Sequence, residues 1–288
     1  MVVVENGSLD RGPQIVECFQ QKDRRIQLLN APHDVQGPGA ARNLGVQKSC
    51  GDWILFLDAD DLVLPEHFSK ITAVHATNPE SDLISCDWLE GPEYSPGVNI
   101  LKRPPNASTV KDVASSAIAY TPWVPHAACM ARKLLGNDPV WNVRFDKLLA
   151  EDHVFWFKVL LSAKVSYSQH TGVFYRTDAR DRRHNLSDTA RYLQIVDLCF
   201  QANLDLLGNC GRPLNYTHRK MLLNAYLEHS LALDKSHEWQ LRIRERILRL
   251  RPSFFEGILR KDVAVVASYL IPYEWLAKIQ KRRRANAK

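Results

Sequence analysis

An unbroken apolar run ends abruptly in three carboxylates within the first quarter of this chain. Residues 53–57 read Trp-Ile-Leu-Phe-Leu, and residues 58–61 follow as Asp-Ala-Asp-Asp. A run without polar alternation is typical of a β-strand that is covered on both faces of a parallel sheet. Ligands of open parallel sheets bind where the strands end. The feature therefore predicts an α/β fold with Asp58 and Asp60 at its binding site.

Short apolar runs alternate with helical patterns through the first half of the chain, which is typical of βα units. Further strands are predicted at residues 2–4, 26–29 and 82–86, a closing pair of strands at 165–167 and 173–175, and helices at 13–22, 39–49 and 151–161. Beyond residue 188 only helical periodicity is found. We therefore predict an α/β domain over residues 1–187 and a helical extension over residues 188–288.

The positive charge of the chain is concentrated at its C-terminal end. Residues 242–288 contain 13 Lys and Arg against 4 Asp and Glu, whereas the rest is net acidic. Helically spaced apolar residues precede the basic run at 281–284, and such an end suits peripheral contact with an anionic membrane surface. Packing on the rest of the protein, with a solvated basic end, is the equal alternative. No recognition motif accompanies the basic residues, so we expect no nucleic-acid partner.

Cysteine usage and hydropathy indicate the cellular compartment in which the protein is expected. The six cysteines are scattered without a CxxC pair, which argues against a zinc site or a disulfide scaffold and fits a reducing cytosol. No signal-peptide pattern follows Met1, and the longest apolar run, residues 263–270, is too short to cross a bilayer. We expect a cytoplasmic protein, with the inner face of the membrane as the place of any peripheral contact.

The Asp58-Ala59-Asp60 segment offers oxygen ligands only. Such ligands favour Mg²⁺ or Mn²⁺, and substrate phosphates commonly complete the coordination shell of Mg²⁺. The segment therefore predicts a diphosphate ligand. Acidic residues after a strand also serve as turn or helix caps. Asp61 fits the capping role best, which leaves Asp58 and Asp60 for the ligand.

Three motifs together resemble the family 2 glycosyltransferases of the GT-A fold. They are Val-Val-Val-Glu-Asn-Gly-Ser at residues 2–8, Gly-Ala-Ala-Arg-Asn-Leu-Gly at 39–45 and Gly-Asp-Trp-Ile-Leu-Phe-Leu-Asp-Ala-Asp-Asp at 51–61. The resemblance resumes at residues 150–152, 175–176 and 184–187. It implies a GT-A-like, Rossmann-like sheet that binds a nucleoside diphosphate sugar. It also implies sugar transfer to a hydroxyl acceptor on a glycan or lipid-linked saccharide.

The resemblance implies roles for single residues. Asp60 would coordinate a Mg²⁺ or Mn²⁺ ion on the donor diphosphate, and Asp58 would share this metal or lie beside the donor ribose. Glu5 and Asn6 occupy the positions that read the nucleobase. Arg42 occupies the position of an arginine on the base or phosphate side. Asn6 departs from the Asp that the family usually has there, which leaves the identity of the base open.

Asp152 is the candidate general base. An acceptor hydroxyl that attacks the anomeric carbon in an inverting transfer must lose its proton, and one carboxylate suffices to take it. The Glu151-Asp152 pair also suits an ordinary helix start, where acidic residues complement the helix dipole. His184 is a candidate contact to the metal or the diphosphate, and Arg176 is a candidate contact to the donor.

The same motifs allow other interpretations of the function. A phosphotransferase would use Asp58 as its nucleophile, but it would need Thr or Val at the position of Leu62. A non-catalytic module would keep the nucleotide crevice without turnover. Trp123 and His126 fit either an acceptor wall or ordinary core and surface positions.

The family that these motifs resemble has one more strand and helix before the segment matched by residues 2–8. That strand lies centrally in the sheet, so its omission would leave the backbone groups of its neighbours unpaired. Either the true start lies upstream, or the neighbouring strands close up and rebuild the pocket. We expect the first, because burying unpaired backbone groups is costly.

Overall fold

Strand β5 (Leu83–Gly91) lies in the middle of the larger sheet of the computed structural model. The structure describes residues 1–31, 37–104, 112–136, 139–148, 150–178, 189–230, 238–260, 262–272, 275–276 and 278–279. Leu83 and Ile84 of β5 are completely buried. This burial agrees with an apolar strand that is covered on both faces.

The other elements follow in chain order. The remaining strands are β1 (Val2–Glu5), β2 (Gln27–Asn30), β3 (Trp53–Leu55), β4 (Leu62–Val63), β6 (Ile100–Lys102), β7 (Ala128–Ala131) and β8 (Val165–Arg176). The helices are α1 (Gly12–Lys22), α2 (Pro38–Lys48), α3 (His67–Thr77), α4 (Val113–Ser116), α5 (Glu151–Leu160), α6 (Thr189–Asn209), α7 (Tyr216–Ser230), α8 (Glu238–Leu250), α9 (Phe254–Leu259) and α10 (Val263–Leu270). Each predicted helix is therefore present within one or two residues of its expected ends.

The strands form two sheets. Strands β1 and β2 pair in parallel as a sheet of their own. The larger sheet has the order β3-β7-β5-β8-β4, and β6 pairs with the second half of β5. It is mixed, because β5 and β8 run parallel while β7 is antiparallel to both β3 and β5. Strands β1 and β3 do not pair with each other in the described part of the chain, so the closing up of neighbouring strands is not observed.

The prediction of a closing pair of strands was wrong, because the two segments are one strand. Strand β8 pairs with β5 from Leu83 opposite Val165 to Gly91 opposite Arg176. The register shifts twice, on either side of Asp87. A β-bulge bends a strand without ending its pairing. The polar stretch that fills these bulges reads as a break in the sequence alone.

Helix α5 and its neighbours form an aromatic core in the α/β part of the chain. Phe155, Trp156 and Phe157 of α5 are completely buried, as expected for a helix with apolar residues on all sides. Trp141 stacks on Phe155 with ring centroids 3.8 Å apart. Trp123 packs edge-on against Trp156 at 5.5 Å and is buried. Trp123 is therefore a core residue, and its position does not allow an acceptor wall.

The chain divides into two compact units. The first consists of residues 1–111 and 121–184, and the second of residues 112–120 and 185–288. The short segment that carries α4 thus belongs with the C-terminal helices, which no pattern in the sequence indicated. The predicted domain boundary at residue 187 lies outside the described residues and stays a prediction.

Asp197 of α6 connects three helices of the second unit. Its carboxylate accepts a hydrogen bond from the hydroxyl of Tyr226 on α7. It also accepts hydrogen bonds of 3.1 and 3.2 Å from the guanidinium of Arg246 on α8.

Among the described residues, no helix of either unit is both long enough and apolar enough to cross a membrane.

Candidate active site

The acidic segment after β3 holds two carboxylates in different surroundings. Asp58 is half-buried, whereas Asp60 is exposed. The backbone carbonyl of Asp60 accepts a hydrogen bond of 2.9 Å from Nε of Arg176 on β8. No hydrogen bond or ion pair to the side-chain carboxylate of Asp60 is found within the described residues. Asp60 is therefore the member of the pair whose oxygens are available to a ligand.

Arg42 of α2 brings the acidic segment and helix α5 together. Its Nη2 atom donates to both carboxylate oxygens of Asp58, at 2.7 and 2.9 Å. Its Nη1 atom lies 3.4 Å from Oδ1 of Asp152 and 3.6 Å from Oε1 of Glu151. These residues come from three separate segments of the chain, yet they meet in one place. We call Arg42, Asp58, Glu151 and Asp152 the Arg42 cluster.

Burial and aromatic stacking fix the position of the Arg42 side chain. The guanidinium lies over the ring of Trp141, 4.3 Å from its centroid. The neighbouring Asn43 holds the backbone of Trp141 from both sides, since it donates to the carbonyl at 2.8 Å and accepts from the amide at 3.0 Å. Burial disfavours the charged guanidinium, but Asp58 and Asp152 outweigh this effect and the pKa of Arg42 is raised. Arg42 therefore remains a fixed positive charge at the site.

Asp146 caps the helix that carries Arg42, and sequence reasoning missed it. The buried Asp146 carboxylate accepts hydrogen bonds of 3.0 Å from the backbone amides of Gly39 and Ala40. A Cβ atom at position 39 would overlap Oδ1 of Asp146, so the glycine of this motif makes room for the cap. Helix N-termini carry unpaired amides and favour negative charge. A cap that lies over a hundred residues away gives no local signal.

Asp61 does not cap a helix, contrary to the sequence prediction. Helix α3 begins at His67, with Glu66 at its N-cap. Asp61 is buried instead, and its carboxylate accepts a hydrogen bond of 2.8 Å from the backbone amide of Arg176. Its Oδ2 atom lies 3.2 Å from Nδ1 of His126, without the alignment of a hydrogen bond. Asp61 thus ties the acidic segment to strand β8.

His126 is completely buried beneath the acidic segment and is not part of an acceptor wall. Its Nε2 atom lies 3.2 Å from the carbonyl oxygen of Phe174, and its ring stacks on that of Tyr175 at 6.2 Å. Burial lowers the pKa of His126 to about 4, although Asp58 and Asp60 act in the opposite direction. The imidazole is therefore neutral at physiological pH.

The predicted base-reading residues lie at the end of β1. One carboxylate oxygen of Glu5 accepts a hydrogen bond from the backbone amide of Ser8. The Oδ1 atom of Asn6 is buried and has no hydrogen-bond partner within the described residues. An unpaired buried acceptor is costly and commonly marks a place where a ligand or water binds. The predicted contact His184 lies outside the described residues.

The larger sheet and the motifs at its edge are those of a GT-A glycosyltransferase fold. Residues 1–92 match the family model described as Glycosyl transferase family 2. The crystal structure of Staphylococcus aureus TarS 1–349 in complex with UDP-GlcNAc has the same fold. It superposes with a TM-score of 0.57 at 18% sequence identity, over 99% of this chain and 82% of TarS 1–349.

Two curated relatives are similar in sequence. An uncharacterized glycosyltransferase of Haemophilus influenzae is 45% identical over 168 residues, which are 56% of this chain and 54% of the relative. The poly(ribitol-phosphate) beta-N-acetylglucosaminyltransferase TarS of Staphylococcus aureus is 24% identical over 287 residues, which are 94% of this chain and 46% of TarS. The chain thus spans about half the length of each of these relatives.

Proposed function

We propose that this protein transfers a sugar, with inversion, from a nucleoside diphosphate donor to a hydroxyl acceptor on a glycan or lipid-linked saccharide. The observation that carries the proposal is the Arg42 cluster, in which one buried arginine joins Asp58 at the end of a strand to Asp152 at the start of a helix. The match of residues 1–92 to the glycosyltransferase family supports the same activity. The sugar and the linkage depend on the shape of the acceptor and donor pockets.

Asp60 and Asp58 fit a divalent cation that prefers oxygen ligands. Asp60 offers an exposed carboxylate, while the oxygens of Asp58 already accept from Arg42. We therefore assign Asp60 as the principal ligand of Mg²⁺ or Mn²⁺ and Asp58 as a residue that shares the ion or contacts the donor. When bound, such a cation neutralises charge on the diphosphate leaving group. His184, a further candidate ligand, lies outside the described residues.

Asp152 is assigned as the general base. It lies in the first turn of α5, and its side chain is 34% exposed, whereas that of the neighbouring Glu151 is only 8% exposed. The acceptor oxygen attacks the anomeric carbon, the bond from that carbon to the diphosphate oxygen breaks, and the acceptor proton passes to an oxygen of Asp152. Glu151 is too buried for this task and serves as a partner of Arg42.

The remaining residues orient the donor. The unpaired Oδ1 atom of Asn6 can accept a hydrogen bond from an N–H group of a nucleobase, and Glu5 lies beside it in the sequence. Arg176 holds the acidic segment through the carbonyl of Asp60 and adds positive charge near the diphosphate. Arg42 supplies a second fixed charge. These contacts favour a donor that carries two phosphates.

We also propose that the C-terminal helices make a peripheral membrane contact. Phe255 and Leu259 of α9, and Leu270 and Trp275 further on, are exposed by 68% or more. Apolar residues of this kind beside a basic segment suit an anionic bilayer surface. Cosedimentation with anionic and with neutral vesicles tests the contact. Equal binding to both, or no binding to either, would rule it out.

The activity is tested by two linked measurements. A panel of nucleotide sugars is screened by thermal shift with and without Mn²⁺, because a ligand that binds only the native state raises its apparent stability. Donors that bind are then tested for release of nucleoside diphosphate and for transfer to saccharide acceptors. Metal-dependent release supports the glycosyltransferase. Donor binding without any release or transfer supports the non-catalytic module, and transfer of a phosphoryl group supports the phosphotransferase.

A further inference from the structure

Two histidines and a cysteine meet in the first unit, away from any local motif. They are His67 at the start of α3, Cys86 on β5 and His170 on β8. Nδ1 of His67 lies 3.2 Å from Nε2 of His170 and 3.9 Å from Sγ of Cys86. All three ligand atoms lie within 4.8 Å of one another. We name this group the His67–Cys86–His170 cluster.

The backbone of β8 is shaped around this cluster. Cys86 pairs with Ser168 and Asp87 with Thr171, so His170 lies in a bulge between two paired positions. Bulges re-aim side chains and are common beside functional sites. A Cβ atom at position 172 would overlap Nδ1 of His67 and lie 2.7 Å from Sγ of Cys86 and 2.9 Å from Nε2 of His170. Only glycine leaves room for the three atoms to converge here.

The hydrogen bonds around the cluster orient the ligand atoms inward. Nδ1 of His170 lies 2.6 Å from the hydroxyl oxygen of the buried Ser168, which leaves Nε2 to face the other two residues. A partner on the second ring nitrogen is the usual way in which a metal-binding histidine is held. Nε2 of the buried His67 has no hydrogen-bond partner within the described residues. The nitrogen of His67 that faces the cluster is Nδ1, as its distances to Nε2 of His170 and Sγ of Cys86 show.

We propose that the His67–Cys86–His170 cluster binds a zinc ion, separate from the Mg²⁺ or Mn²⁺ site of the donor. Zinc takes thiolate and imidazole ligands at about 2.3 and 2.0–2.1 Å in a tetrahedron, which places two nitrogen ligands about 3.3 Å apart. The two ring nitrogens here are 3.2 Å apart. Mg²⁺ and Mn²⁺ prefer oxygen ligands and suit the cluster poorly.

The cluster offers three ligands and one open position. Within the described residues, no fourth His, Cys or carboxylate joins the group. Cys86 and His67 are buried while His170 is partly exposed, so a water molecule would reach the open position of a bound ion from the side of His170. A bound zinc ion would fasten α3 to β5 and to the bulge of β8. The spacing of the cysteines in the sequence argued against a zinc site, whereas His67, Cys86 and His170 come together only in the folded chain.

Cobalt substitution tests the proposal directly, because a thiolate bound to Co²⁺ gives a charge-transfer absorption band. The full chain, without a histidine tag and with Cys18, Cys50 and Cys210 replaced by Ser, is stripped with a chelator and titrated with Co²⁺ alone. These three cysteines are exposed, whereas Cys86 is buried. We expect the band to saturate at one Co²⁺ per chain and to disappear when Zn²⁺ is added. A folded protein that shows no band overturns the proposal.

Variants in the same background assign the ligands. Cys86→Ser should abolish the band, and His170→Gln should weaken cobalt binding. Cys129→Ser, which replaces another buried cysteine, and Asp60→Asn, which alters the proposed donor site, should leave the band unchanged. A band that persists in Cys86→Ser, or that is lost in Asp60→Asn, would contradict the assignment.

A second readout does not depend on a ligand substitution. Zn²⁺ at about a hundredfold excess over its Kd should raise the melting temperature by roughly 5–10 °C. Ser168→Ala keeps all three ligands and should weaken Zn²⁺ affinity about tenfold or more. If Zn²⁺ leaves the melting temperature unchanged, the three residues are ordinary core packing.

Discussion

The guanidinium of Arg42 holds both carboxylate oxygens of Asp58 through a single nitrogen, at 2.7 and 2.9 Å. This contact joins a helix of one βα unit to the acidic segment that ends the next strand. Because Asp152 lies 3.4 Å from the other terminal nitrogen of Arg42, one side chain holds Asp58, at the proposed donor site, close to Asp152, the proposed general base.

Replacing Asp60 should abolish metal-dependent donor binding. In Asp60→Asn a neutral amide replaces an anionic ligand, so a divalent cation is no longer held against the diphosphate. Isothermal titration of the donor, with and without Mn²⁺, measures the effect. Asp52→Asn, which alters an exposed carboxylate just before β3, is the matched control. Unchanged Mn²⁺-dependent affinity in Asp60→Asn would remove the metal assignment.

Replacing Asp152 should separate binding from turnover. Asp152→Asn keeps the shape of the side chain but cannot accept the acceptor proton, so kcat should fall by roughly 10²-fold or more while donor affinity changes little. Initial rates and donor titrations on the same preparation give both quantities. Glu17→Gln, on the surface of α1, serves as control. A parallel loss of affinity and rate would mean that Asp152 is a donor contact or a helix cap.

Replacing Arg42 by Lys should destabilise the protein although it conserves the charge. The ammonium group of lysine is not planar, so it cannot stack on the ring of Trp141, and it cannot contact Asp58 and Asp152 at the same time. The free energy of unfolding should fall by about 2 kcal/mol, which is less than for a fully buried pair because both carboxylates are about a third exposed. Urea unfolding followed by circular dichroism measures the change.

Arg25→Lys is the matched control for Arg42→Lys. Arg25 also contacts an aspartate, Asp23, through two nitrogens, and this arginine holds the pKa of Asp23 down at about 2. The Arg25 side chain is 88% exposed, so solvent screens the pair and the substitution should not measurably alter unfolding. If both variants lost the same stability, burial of the Arg42 cluster would not be the cause.

The buried His126 should make stability depend on pH between about 4 and 6.5. Its pKa is lowered to about 4 by burial, whereas in the unfolded chain it is about 6.5. As pH falls through this window the unfolded state binds a proton that the folded state does not, so stability decreases. Above pH 6.5 the contribution is fully present. The charged groups that interact electrostatically with His126 are Asp61, Asp58, Asp60 and Arg42.

The comparison of the wild type with His126→Gln isolates this contribution. Between pH 7 and pH 5 the wild type should lose roughly 1–2 kcal/mol more unfolding free energy than the variant. Urea unfolding at the two pH values measures the difference. An identical pH dependence in wild type and His126→Gln would contradict the burial argument.

The sequence by itself determined the parts of this protein whose signals are local. An apolar run that ends in carboxylates marks β3 and the acidic segment, and acidic residues before an apolar helix mark the start of α5 at Glu151. Periodicity likewise predicts the helices beyond residue 188. These features arise from interactions among neighbouring residues, so the sequence predicts β3 and the start of α5 within a few residues. The family match over residues 1–92 depends on the same local motifs.

Only the tertiary structure decided which distant residues meet. Asp146 caps α2 across more than a hundred residues, and Asp61 pairs with the backbone of β8 instead of capping a helix. His67, Cys86 and His170 converge because a bulge in β8 shifts its register against β5. Register, bulges and helix docking depend on packing between elements that are remote in the chain. No period or spacing in the sequence records those contacts, since each arises only when the elements pack together.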